Sequence, residues 1–350
     1  MEYNRSQQAG CLTDTKRRCF SLNIGIVGNG MIIESAGEAI TRQSDFTCTA
    51  IVCRPRSREK AERYAEKFQI PRVYTDYGEF LETAPIEAVY IGIINSEHFR
   101  YAKQALLAGK HVILEKPFTV TGKEAAELAE IAGKTGKMLL EAIYVRYADW
   151  MKYVRLGVQK IGTIKLIQCS FSKVSRRYEE YCKGNVLPVF DPALAGGALM
   201  DLGVYCVHFV DSVMGNKEVC GISYEANKGF NGVDTSGVLT IHYPDSIAVC
   251  ICGKDSDGSR EAVIQGEEGW LKVENFPTAQ RVVLYQKASG QTQVLWEKTD
   301  TEKNYLMDEF REFACILKED CRERAEESLK ASLRVMRLLD QALKNTGEKE

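Results

Sequence analysis

The triplet Glu115-Lys116-Pro117 closes the apolar run GKHVILEKPF, and it puts a charged pair where a buried strand should end. Proline lacks a backbone donor and pushes the residue before it out of the helical region. Lys116 is therefore expected to be extended, aimed away from a strand over 111–114. Ligands of open α/β sheets bind at the carboxyl ends of strands, so such a lysine is either a salt-bridged bystander or part of a reaction. A second group lies in GGALMDLGVYCVHFVDSVMG. A helix starting after Gly196-Gly197 places Asp201, Tyr205 and His208 at i, i+4 and i+7, on one face. Three ionisable groups on an otherwise apolar helix are costly to bury without partners, and Gly203 between them permits a close approach. A phenol near a lysine ammonium has its phenolate stabilised, which moves a pKa of about 10 towards working pH and allows it to exchange a hydroxyl proton. The same face also fits a capping acid, an interface tyrosine and a satisfied histidine.

The elements that must carry these residues follow from hydrophobic periodicity. Strands are expected over 22–27, 48–53, 73–74, 88–93, 111–114 and 138–142, with helices such as 58–68, 97–108 and 123–135 between them. This alternation predicts a doubly wound parallel sheet. After 143 the texture changes to a helix around 148–156 and then alternating runs at 164–174, 218–226, 237–242, 247–252, 261–265, 270–273, 281–286 and 293–296. Those runs predict a larger, open, mostly antiparallel sheet. Helices over 302–318 and 326–345 end the chain, and residues 1–20 read as a flexible extension.

The first strand runs into Gly28-Asn29-Gly30-Met31-Ile32-Ile33, the start of a dinucleotide fingerprint. Its glycines let the chain approach a pyrophosphate, and the following helix N-terminus favours the negative charge. Ile33 replaces the third glycine. The second strand ends in Cys53-Arg54-Pro55-Arg56-Ser57, without the acid that usually bonds ribose hydroxyls. Arg54, Arg56 and Ser57 suit a 2′-phosphate instead, so NADP is expected, with NAD as the second candidate. The other reading is that these arginines only solvate a helix start.

A chain of 350 residues has room for two full cores. A net charge of -2 gives no electrostatic case for nucleic acid or an anionic membrane. No apolar stretch is expected to reach the ~20 residues that span a bilayer, and the N-terminal segment does not read as a secretory signal. The twelve cysteines form no C-x-x-C pair, which points to reduced thiols in a cytoplasmic protein and to no metal site.

Gly28-x-Gly30, the segment IINSEH at 93–98, GKHVILEKPF and GGALMDLGVY, in that order, resemble the Gfo/Idh/MocA oxidoreductase family over nearly the whole chain after residue 20. The resemblance implies a Rossmann domain at 21–142 and an α/β domain at 143–346 for substrate binding and oligomerisation. It implies Lys116 beside the nicotinamide and the reacting hydroxyl, and Tyr205 at the proton-exchanging position, with Asp201 one turn before it. The tyrosine is shared with the glucose-fructose oxidoreductase and dimeric dihydrodiol dehydrogenase-like branches, where the inositol dehydrogenase-like branch has histidine, and EAIYVRY resembles a segment of the dihydrodiol and D-xylose dehydrogenase-like branch. Lys116 is expected to lower the Tyr205 pKa and Asp201 to orient the pair. Expected cofactor contacts are Gly28, Asn29, Gly30, Met31, Ile32, Arg54, Ser57, Ile94, Asn95, His98, Glu115 and Lys116. Arg146, in EAIYVRY, is expected near substrate, and His208 is the fallback proton donor. The implied activity is hydride transfer between a nicotinamide and a secondary alcohol or carbonyl of a sugar, polyol or cyclic diol. The implied assembly is a homodimer or homotetramer through the C-terminal sheet. Two alternatives stay open: an NAD-dependent inositol-type dehydrogenase, and a non-catalytic sensor of nucleotide or sugar. Retention of Lys116, Asp201 and Tyr205 together argues against the sensor.

Overall fold

The computed structural model describes residues 21–300 and 304–345. The extension expected at 1–20, residues 302–303 of the expected helix and the domain end at 346 lie outside the described residues. Six parallel strands, β1 (Leu22–Val27), β2 (Phe46–Val52), β3 (Val73–Tyr74), β4 (Ala88–Ile91), β5 (His111–Glu115) and β6 (Leu139–Ala142), form a sheet of order β3-β2-β1-β4-β5-β6. Helices α1 (Ile32–Thr41), α2 (Arg58–Phe68), α3 (Tyr77–Thr83), α4 (His98–Leu107) and α5 (Gly122–Thr135) connect them. Every residue of β4 is buried, as a strand covered on both faces requires. The strand order reverses between β1 and β4, so the crevice for a ligand opens beyond Val27 and Ile91.

The second half starts with α6 (Met151–Val158), β7 (Ile164–Ser172) and α7 (Tyr178–Cys182). A π-helical turn (Leu199–Gly203) runs directly into α8 (Val204–Met214). The strands β8 (Gly221–Lys228), β9 (Asp234–His242), β10 (Ile247–Gly253), β11 (Glu261–Gly266), β12 (Gly269–Glu274), β13 (Arg281–Gln286) and β14 (Gln291–Glu297) follow. With β7 they make an eight-stranded sheet of order β14-β13-β12-β11-β7-β10-β9-β8, antiparallel except between β7 and β10. Helices α9 (Met307–Lys318) and α10 (Arg322–Asn345) close the described chain.

Three features depart from expectation. First, α9 does not stay with the second sheet. Phe310 and Phe313 are buried in the core around β1, where Phe310 packs edge-on to Tyr90 and Phe46 with centroids 5.4 and 6.4 Å away. The first sheet would otherwise leave that face wet, so the returning chain completes it. Second, Pro192–Met214 is 23 residues long and contains an apolar window with a mean hydropathy of 1.5, enough by length and composition to cross a membrane. Within the fold 67% of its apolar window is buried, against β7 and β10. Third, the helix carrying Asp201 is not uniformly α-helical. A π-helical residue advances by less than the ~100° of an α-helical one, so the turn at 199–203 rotates all that follows.

Candidate active site

Gly28 holds φ +114°, and a Cβ there would sit 2.4 Å from the Gly92 carbonyl oxygen, so only glycine lets the β1 and β4 ends close together. Helix α1 begins at Ile32 with no side chain capping its first turn, which leaves its N–H groups for a ligand. Asn29 Nδ2 donates to the Ser57 carbonyl at 3.2 Å and ties this loop to the segment after β2. Ile33 is fully buried, and a Cβ at Gly92 would lie 3.0 Å from its Cδ1. An apolar side chain thus fills the space the third fingerprint glycine usually leaves. Arg54 is exposed at the end of β2, and among the described residues it forms no ion pair. The cradle, the uncapped helix and the free cation all fit a dinucleotide phosphate.

Across the crevice, Ile94 is 39% exposed and Asn95 Nδ2 donates to the Ala195 carbonyl at 3.0 Å, linking the two halves. His98 is placed differently from expectation. It is fully buried, with Nδ1 2.9 Å from the Pro117 carbonyl and Nε2 3.3 Å from that of Ile93. It holds the loop after β4 to the loop after β5 and does not face the crevice. Burial pushes its pKa down despite these carbonyls. Glu115 also lies beneath the surface. It accepts the Tyr90 hydroxyl at 2.7 Å and the Lys116 N–H at 3.1 Å, and burial pushes its pKa up to about 7.

Lys116 and the π-turn meet at the edge of a cavity of about 290 Å³, lined by Lys116, Leu202 and Tyr205 together with Tyr144, Phe171 and Tyr305. Lys173, Arg260, Pro277 and Thr278 complete the lining. Lys116 Nζ donates to Asp201 Oδ1 at 2.8 Å and to the Asp201 carbonyl at 3.0 Å, and it stands 5.1 Å over the Tyr205 ring centroid. Lys254, at the end of β10, approaches Asp201 Oδ2 at 2.8 Å and donates to the Val189 carbonyl at 2.8 Å. One carboxylate therefore serves two ammonium groups. Burial alone would raise the Asp201 pKa, but the two cations outweigh it and hold the carboxyl well below its usual range. Burial would lower Lys116, and Asp201 reverses that direction. At Lys254, 2% exposed, burial wins and the pKa falls.

Burial, and then the nearby acids Glu115 and Asp201 and the Tyr305 phenol, push the Tyr205 pKa well up. This corrects the expectation that Lys116 draws it down: Asp201 neutralises the ammonium, and the phenol stays protonated. Tyr205 is instead fixed by rings, with centroids 5.2 Å from Tyr144 and 5.7 Å from Phe171.

Two expected contributors lie elsewhere. His208 is swung off the Asp201 face by the π-turn and is fully buried, its Nε2 3.2 Å from Glu141 Oε2 without hydrogen-bond alignment. Arg146 pairs with buried Asp211 at 2.9 Å, and Asp211 also takes Arg334 at 2.7 Å. That ion pair occupies the guanidinium, and Arg146 does not line the cavity. Lys254 and Tyr305 were not expected. Lys254 had a readable signal, a lysine at the end of an apolar strand run, as in Lys116. Tyr305 had none, because it sits in a turn between sheet and helix.

The Gfo/Idh/MocA family model described as an oxidoreductase family with an NAD-binding Rossmann fold matches residues 22–143, and the family's C-terminal domain matches 156–272. The chain belongs to the Gfo/Idh/MocA oxidoreductase family. The scyllo-inositol 2-dehydrogenase (NADP(+)) IolU of Bacillus subtilis is 29% identical over 93% of the chain and 97% of its own length. The trans-1,2-dihydrobenzene-1,2-diol dehydrogenase of Sus scrofa is 30% identical over 72% and 74%. Among solved structures, KijD10, a 3-ketoreductase from Actinomadura kijaniata in complex with TDP-benzene and NADP, superposes with a TM-score of 0.77 at 23% identity, covering 93% of this chain and 98% of that one. This family member therefore has an N-terminal Rossmann domain of the dinucleotide-binding type and a partner domain built on a large, mostly antiparallel sheet.

Proposed function

We propose that the protein is an NADP(H)-dependent oxidoreductase that interconverts a secondary alcohol and a ketone on a sugar, polyol or cyclic diol. The observation that carries this reading is the meeting of Lys116, from the first sheet, with Asp201 and Tyr205, from the second half, at one small cavity. The bound nicotinamide supplies or takes up the hydrogen at carbon. In the reducing direction Tyr205 Oη, which carries its proton at neutral pH, gives that proton to the substrate oxygen as negative charge builds there. Lys116 Nζ stabilises the charge building on that oxygen and then on the phenolate. Asp201 holds Lys116 in place, and Lys254 keeps Asp201 ionised. The rings of Tyr144, Phe171 and Tyr305 exclude water from one side of the cavity.

NADP is favoured over NAD because Arg54 and Arg56 are exposed where an acid would be needed for the ribose hydroxyls. The NADP(+)-linked relative points the same way. Following nicotinamide absorbance with NADPH and NADH, against a panel of ketoses and inosose-type ketones, tests both claims. Higher catalytic efficiency with NADH would overturn the cofactor assignment, and tight NADPH binding with no turnover of any carbonyl would return the site to a sensor. The ten described cysteines are free, which supports residence in a reducing compartment such as the cytoplasm.

A further inference from the structure

We infer that the substrate carries an anionic group, a carboxylate or a phosphate, which Lys173 and Arg260 receive at the mouth of the cavity; this rests on the oxidoreductase reading of the same site. Three cations line the space, Lys116, Lys173 and Arg260, and among the described residues no carboxylate side chain lines it with them. The acid nearest to Lys116 is Asp201, already shared with Lys254, so two ammonium groups stand against one carboxylate even before Lys173 and Arg260 are counted. Among the described residues neither Lys173 nor Arg260 forms an ion pair, whereas Lys165, Lys183, Lys272 and Arg281 of the same half each have an acidic partner.

Arg260 is held in place without being neutralised. Its Nη2 donates to the amide oxygen of Asn275, whose backbone adopts φ +59° and whose Nδ2 lies 3.4 Å from Thr278 Oγ1. The Phe276 N–H donates to the Arg260 carbonyl at 2.9 Å, so the loop over 275–279 and the arginine form one unit on the cavity wall. Lys173 is anchored through its own N–H to the Gly253 carbonyl at 2.9 Å, one residue before Lys254. With a neutral amide as its side-chain partner among the described residues, the guanidinium keeps its full charge and several donors in a fixed fork, the arrangement that receives carboxylate or phosphate. A like-charged cluster in a partly enclosed space is costly unless an anion enters it. The volume, about 290 Å³, lies at the small end of ligand sites, roughly 300–1,000 Å³. It suits a single sugar or cyclitol ring bearing its own charge.

Calorimetric titration of the full chain, both without dinucleotide and saturated with NADP+, against glucose, glucuronate and glucose 6-phosphate, and the matching galactose set, tests this. One or both anionic members are expected to bind roughly 10- to 100-fold tighter than the neutral hexose, the value of a hydrogen bond to a charged group. The carboxylate and phosphate arms identify which anion is preferred. The advantage should shrink as ionic strength rises, and it should disappear in a Lys173→Gln, Arg260→Gln double variant. Lys173→Gln alone, at an exposed position, guards against misfolding and should lose part of it. Equal or tighter binding of the neutral sugar, binding of no member, or a preference that survives both substitutions overturns the inference. Failure of the oxidoreductase reading shows separately, as absence of NADP+ binding or of turnover, while the anion preference is read in either state.

Discussion

Two lysines divide one carboxylate between them at Asp201, each 2.8 Å from a different oxygen. Removing Lys254 leaves Asp201 with a single cation and an unmatched acceptor inside a partly buried site. Lys254→Met is expected to cut kcat by roughly 10-fold or more with little change in NADPH affinity, since the contacts of Lys254 are with Asp201, the Val189 carbonyl and the Phe190 ring. Tyr205→Phe keeps the ring packing and removes only the hydroxyl, so it should lower kcat at least ~100-fold and leave NADPH binding nearly intact. Unchanged turnover there would remove Tyr205 from the mechanism. Glu115 yields a prediction in pH. Its folded pKa of about 7 lies above the ordinary value of about 4.3, so protonation favours the folded state. The stability it confers is complete below about pH 4 and is lost as pH rises through about 7. Buried Glu309, pushed up by burial and by Glu115, acts in the same direction. A melting temperature followed against pH should fall across that window, and Glu115→Gln should flatten part of the fall. An unaltered slope in that variant refutes the assignment.

At the scale of the element, the helix carrying the site is positioned from outside. Asp234, on β9, accepts the Leu199 N–H at 2.7 Å and the Tyr224 hydroxyl at 2.6 Å, so its carboxylate fixes the start of the π-turn. Gly197, at φ +124°, makes room for it, since a Cβ there would lie 1.9 Å from Asp234 Oδ1. Asp234→Ala leaves a buried N–H and a buried phenol without their acceptor, a loss of about 2 kcal/mol or more. It is expected to lower the chemical denaturation midpoint and kcat together, and a variant as stable as the parent would contradict the anchoring role. The residue types and order of this helix were plain in GGALMDLGVY; its rotation was not. Whether five residues wind as α or π depends on contacts such as Gly203 against Leu199 and Cys252, where a Cβ would lie 2.8 Å and 3.1 Å away. The Cys252 contact comes from β10, distant in sequence, and the rotated helix carries His208 from the face assigned to it into a pair with Glu141.

At the scale of the whole molecule, the second sheet has one face against α8 and α6 and another that is open. On β10 the buried residues Ala248, Cys250 and Cys252 alternate with Ile247, Val249 and Ile251, which are exposed or partly so; Val238 of β9 lies opposite Ile251. Ile247, Val238 and Val294 are each at least 40% exposed. An apolar strip of this kind supports the proposed association of two or four copies through the sheet. Ile251→Glu on that strip is expected to shift the mass found by light scattering to that of a single chain while leaving the melting temperature at low concentration nearly unchanged. A parent protein that is already monomeric would dismiss the assembly. The two halves are also joined within the chain. Helix α9 completes the first sheet's core, and Asn304 Nδ2 donates to the Ser35 carbonyl at 2.8 Å and to Glu38 at 3.0 Å.

By itself the sequence determined the alternation of strand and helix, the glycine cradle after β1, the lysine at the end of β5 and the acid and phenol of the second half. Each of these is written in local pattern: period, punctuation by glycine and proline, and charge at the edge of an apolar run. Tertiary structure decided which charges face each other. Lys254 and Asp201 are 53 residues apart and meet only because β10 pairs in parallel with β7 beneath the π-turn. Arg146 was claimed by Asp211, and Tyr305 was carried to the cavity by a chain returning to the first sheet. Partner choice among charged side chains is settled by distance and burial, and neither is encoded in any short stretch of sequence.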